Sequence, residues 1–149
     1  MILTRSVTDI LNSSIEAIKG VIPLYIDVLQ PSLLTEPFSQ LKIGVLIGIT
    51  GDVRGRMIID GEEECFQSLG ASMFGMPLEG EMLESFAGEL GNMIAGNLAT
   101  LLAQAGHTLD ITPPTVIVGQ SKMYGFEKAL KLPIVIENVG HFLVILMIE

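Results

Sequence analysis

The segment SFAGELGNMIAGNLATLLAQ, Ser85 to Gln104, follows a helical pattern yet carries three glycines, Gly88, Gly91 and Gly96. A glycine inside a helix costs roughly 1 kcal/mol relative to alanine, so the three together cost about 2–3 kcal/mol that something must offset. At about 100° per residue, Ser85, Glu89, Asn92 and Gly96 share one narrow arc, with Gly88 and Ala99 beside it. Leu83, Phe86, Ala87, Leu90, Ile94, Leu98 and Leu101 cover the opposite side and are expected to face a sheet. Small residues around a projecting acid and amide therefore predict an outer face that another surface approaches closely.

The long helix is expected over residues 79–105, stopped by Gly106. Ahead of it, Ser6 is a candidate N-cap for a first helix that ends near Gly20 and Pro23. Residues 21–30 then read as a strand closed by Pro31, and 32–40 as a loop. Leu41–Thr50 and Arg54–Asp60 are apolar, β-prone runs around Gly51-Asp52-Val53, the pattern of a hairpin. Glu62–Phe74 reads as a helix with acids in its first turn, where they suit the macrodipole, and Gly75-Met76-Pro77 breaks it. Further strands are expected near 114–119, 131–137 and 141–148, with Asn138-Val139-Gly140 as the last turn. The fold class expected is α/β in the broad sense (α+β), a largely antiparallel sheet packed with long helices.

A chain of 149 residues, 49% of them hydrophobic and 17% charged, is sized for one packed domain spanning 1–149. Its net charge of −9, with eight Lys and Arg and no basic cluster, argues against nucleic acid or an anionic membrane as partner. Apolar runs near 43–49 and 142–148 are far shorter than the ~20 residues of a membrane-spanning helix. Cys65, the single cysteine, excludes an internal disulfide and reads as a small core residue; a cytoplasmic location is expected. His107 and His141 lack ligand-like spacing with Asp or Glu, so each reads as a surface or packing residue and no metal site is expected.

A carboxylate and a carboxamide one turn apart can hold a water molecule, the acid accepting a hydrogen bond and the amide donating or accepting one. A water held so is a candidate nucleophile whose ordering cost is already met. The spacing Glu89-x-x-Asn92 also occurs in solvated polar stripes; the glycine cost and the small-residue rim weigh against that reading. Asn97 lies about 80° round the helix from Glu89 and is expected to hydrogen-bond a neighbouring loop or helix end.

These residues resemble a known family. Glu89-x-x-Asn92 preceded by Ser85, the hairpin segment Thr50-Gly51-Asp52-Val53-Arg54-Gly55-Arg56, and Asp110-Ile111-Thr112-Pro113-Pro114 are similar to the CheC/CheX/FliY group of phosphatases for the phosphorylated chemotaxis regulator CheY. Pro113 or Pro114 fills the place of the family's proline, one or two positions early. One Glu–Asn pair, where CheC-type members carry two, makes the chain more similar to CheX.

The resemblance implies a phospho-aspartate phosphatase acting on a CheY-like receiver, with Glu89 and Asn92 catalytic and Ser85, Gly88 and Gly96 contacting the partner. It implies no cofactor on this chain, Mg²⁺ on the receiver, and a homodimer for which strands 43–49 or 142–148 are candidate edges. Two other readings of the same helix stay open: a receiver-binding module without catalysis, and a dimeric signalling or scaffold module.

Overall fold

In the computed structural model, which describes residues 5–36, 38–40, 42–119, 121–123 and 129–148, the β-prone runs form an eight-stranded sheet whose pairings are all antiparallel. At its middle is the expected hairpin, β4 (Ile43–Gly51) with β5 (Gly55–Gly61), in register from Ile43↔Gly61 to Ile49↔Gly55. Beyond β5 come β10 (Gly140–Ile148) and then β9 (Ala129–Ile136). The turn joining them holds Asn138 at φ 63°, a left-handed conformation asparagine tolerates better than most residues. Both β1 (Ile26–Val28) and β2 (Ser32–Leu34) pair with β9, while β6 (Leu109–Ile111) and β7 (Thr115–Val118) pair with β4. A separate ribbon pairs β3 (Phe38–Gln40) with β8 (Ser121–Met123).

Three expectations about strands need correction. The segment 32–40 is not a loop: it supplies β2 and β3, each three residues long, too short to display a period. The strand expected over 21–30 shrinks to 26–28, because the first helix runs to Val21 and Pro23 follows. Strands 43–49 and 142–148 are not edges. β4 has β5 on one side and β6 with β7 on the other, and β10 lies between β9 and β5. A continuous apolar run marks a strand covered on every side, whereas a long apolar edge would invite aggregation.

The helices lie over one face of this sheet. They are α1 (Arg5–Val21), α2 (Glu63–Phe74) and α3 (Gly80–Gln104); Ser6 thus sits within α1 rather than capping it. Alternation along β4 sends Ile43, Val45, Ile47 and Ile49 into a core shared with Leu83, Leu90, Ile94 and Leu98 of α3. On the other face, Ile58, Ile145, Met147 and Ala129 form a smaller cluster. α2 begins with Glu63 and Glu64 and ends at Gly75, φ 73°, whose N–H donates to the Ala71 carbonyl at 2.8 Å. Phe66 of α2 meets Phe142 of β10 edge to face at 4.9 Å, which ties that helix to the sheet.

α1 runs antiparallel to α3 and is joined to it at two points. Asn97 donates from Nδ2 to the Ala17 carbonyl at 3.3 Å, near the end of α1; a bond to a neighbouring loop or helix end was expected of it. Past the end of α3, His107 Nε2 lies 3.0 Å from Asp9 Oδ2. Cys65 is half-buried at the rim of the core, and burial pushes its thiol up from the ordinary value.

Candidate functional site

The three glycines in the interior of α3 serve different ends. Gly91 is buried on β4: a Cβ there would stand 2.5 Å from Val45 Cγ1 and 3.3 Å from Ile47 Cδ1. Gly88 is also buried, and its Cβ would stand 3.1 Å from Val116 Cγ2 of β7. Both let the helix settle close to the sheet, which corrects the expectation that Gly88 belongs to an open lane for a partner. The reason is angular. Gly91 and Gly88 lie about 160° and 100° round the helix from Glu89, on the side that β4 and β7 cover. Gly96 alone of the three is open: among the described residues, nothing beyond the helix's own adjacent backbone lies within 4 Å of the position a Cβ would take.

What remains facing outward is a stripe of Ser85, Glu89 and Asn92, all exposed, continued by half-buried Gly96. Glu89 and Asn92 are one turn apart on a helix of 25 residues packed along its length, so their spacing is set by rigid backbone. Next to them the segment after β6 is pinned down. Thr112 donates its N–H to the Gly48 carbonyl at 2.9 Å, and the Gly48 N–H donates to Thr112 Oγ1 at 2.8 Å. Thr112 occupies the space over Gly48, where a Cβ would stand 3.0 Å from its Cγ2. This clamp carries the chain to Pro114, whose Cγ lies 4.0 Å from the position of a Gly88 Cβ. Pro114, one of the two prolines singled out from sequence, thus stands at the flank of the helix.

Towards its N-terminal end the stripe opens into a groove of about 590 Å³ that the sequence reading missed. Its apolar walls are Phe74, Met76, Leu78, Met82 and Phe86; Glu81, Ser85 and Glu89 supply its polar side. Phe74 is fixed edge to face on Phe86, ring centres 5.6 Å apart. One signal was available: Met82 lies seven residues before Glu89, hence about 20° from it on the same helix face. The other walls come from the α2–α3 corner, which sequence marks only as a break.

Among the described residues no group of three or more His, Cys, Asp and Glu is placed to hold a metal ion. No helix among them is long and apolar enough to cross a membrane.

The fold is that of the CheC-like proteins. It superposes on a CheC-like superfamily protein from Shewanella sp. PV-4 with a TM-score of 0.81, at 21% identity and over 99% of each chain. Residues 43–134 match the family model of the chemotaxis phosphatase CheX. The chain is 37% identical over 134 residues to the CheY-P phosphatase CheX of Thermotoga maritima, covering 87% of this chain and 86% of that one. CheX in the CheX–CheY–BeF3–Mg²⁺ complex from Borrelia burgdorferi is 25% identical, with a TM-score of 0.78 over 96% of this chain and 97% of that one. The chain belongs to the CheX family, and is thus a homologue of an aspartyl-phosphate phosphatase.

Proposed function

We propose that this protein removes the phosphoryl group from the phospho-aspartate of a CheY-like receiver, with Asn92 orienting the attacking water and Glu89 docking against a cation of the receiver's active site. The observation that carries the reading is the exposed Glu89–Asn92 pair, one turn apart on a rigid helix, in a chain of the CheX family. Water oxygen attacks phosphorus, the bond to the aspartate oxygen breaks with its electron pair returning to the carboxylate, and the water's proton leaves with phosphate and solvent. Such a transfer asks mainly for an in-line nucleophile and for stabilised charge. Mg²⁺ held by the receiver supplies charge stabilisation; this chain supplies position. The reading carries with it a cytoplasmic setting. Homodimerisation, implied by the resemblance, would use surfaces other than the enclosed strands β4 and β10.

The direct test mixes the protein with phosphorylated receiver and Mg²⁺ and follows phosphate release. Release well above the receiver's own hydrolysis is expected. An unchanged rate would remove the phosphatase reading, and tight binding without turnover would leave a receiver-binding module in its place.

Gly96 provides a sharper check of close approach. Since a methyl there meets nothing among the described residues beyond the helix's own adjacent backbone, Gly96→Ala should raise stability by about 1 kcal/mol, or roughly 2–4 °C in Tm. The same variant should bind the receiver more weakly, because the methyl stands in the lane beside Asn92. Gains in stability and affinity together would mean that no partner comes near this turn.

A further inference from the structure

We infer that the groove at the α2–α3 corner is a docking surface for the receiver, seating an apolar patch rimmed by Lys or Arg on the surface that borders its phospho-aspartate; this rests on the function proposed above. Three large apolar side chains stand open to water at the corner: Phe74 at 59% exposure, Met76 at 51% and Met82 at 58%. Scattered exposed apolar groups are ordinary, but these three line one concave surface. The corner is held in shape. Gly75 turns it in the left-handed region, Phe74 is braced on Phe86, and Leu78 is buried beneath. Methionines on such a wall can repack around an incoming side chain.

The occupant follows from continuity and charge. Glu89 lines the groove and also belongs to the reacting pair, so a receiver presenting its phosphoryl group to Asn92 must also lie over Met82, which stands roughly 10 Å along the helix from Glu89. The charged residues lining the groove are both acids, Glu81 and Glu89, and Glu79 is exposed just before α3. That rim attracts a surface with Lys or Arg around an apolar centre. A second copy of this chain, at net charge −9, would set acid against acid, and an anionic membrane would be repelled likewise.

The test measures binding of a receiver loaded with beryllium fluoride and Mg²⁺, together with kcat and KM for phosphate release from the phosphorylated form. Met76→Ser with Met82→Ser removes two exposed walls without touching the core. Affinity should fall about tenfold and KM rise to match, with kcat held. Tyr25→Ser, which removes a still more exposed large side chain outside the groove, should change nothing. Unchanged affinity in the double methionine variant, or an equal loss in Tyr25→Ser, overturns the docking surface while leaving the phosphatase reading intact. A wild-type protein that neither binds nor dephosphorylates the receiver overturns both.

Discussion

Replacing Asn92 with alanine is expected to lower kcat for phosphate release by about 100-fold while leaving affinity for the beryllium-fluoride-loaded receiver nearly unchanged. The expectation follows from what the side chain does and does not touch. Asn92 is exposed on α3, so truncation removes no core contact, and alanine is a better helix former. Stability should hold or rise slightly. What disappears is the carboxamide that fixes the water's direction of attack, an interaction used only once the receiver is docked. Loss of a group used only in the transition state appears in kcat.

Glu89→Ala should divide the other way. A carboxylate paired with a receiver cation contributes before chemistry begins, so its loss should raise KM by roughly 30-fold, about 2 kcal/mol. Opposite divisions in two side chains one turn apart would assign separate roles to them. Full activity in both variants would move the site elsewhere on the protein. Unequal loss of folded protein, read by far-UV circular dichroism, would mark a structural effect instead.

How much of this was legible in the sequence depended on the length of each pattern. The β4–β5 hairpin and the β9–β10 turn could be read because long apolar runs flank residues with turn chemistry. The strands β1, β2, β3, β6 and β8 are three residues each, and a period of two cannot show itself in three positions. The outward stripe of Ser85, Glu89 and Asn92 was legible because helical geometry alone sets it. Gly88 was misread because a hydrophobic pattern gives glycine no sign: a buried close approach and an open lane look alike. The groove was hidden for another reason. Phe74 and Met76 become walls only when the chain reverses at Gly75 and brings α2 beside α3, a tertiary fact.

Gly91→Val should destabilise the protein by about 3 kcal/mol, read as a lower midpoint in urea with an unchanged slope. Even the first added carbon would stand 2.5 Å from Val45 Cγ1, well inside contact distance. Relief is difficult on both sides. Val45 sits on β4, hydrogen-bonded between β5 and β7, and a β-branched side chain has few alternative rotamers. On the helix side, α3 is held by Asn97 on α1 and by the core beneath Leu90 and Ile94. Helix propensity favours valine over glycine by only a few tenths of a kcal/mol, too little to offset the overlap. Gly96→Ala carries the opposite sign in the same helix, so the two variants separate packing from propensity. Gly91 also precedes Asn92 directly. Pushing the helix off β4 would move the carboxamide, and a shift of about 1 Å is enough to cost catalysis heavily. Gly91→Val should therefore lose activity even at temperatures where it remains folded. A variant as stable as the wild type would mean that α3 does not rest on β4 as closely as these distances require.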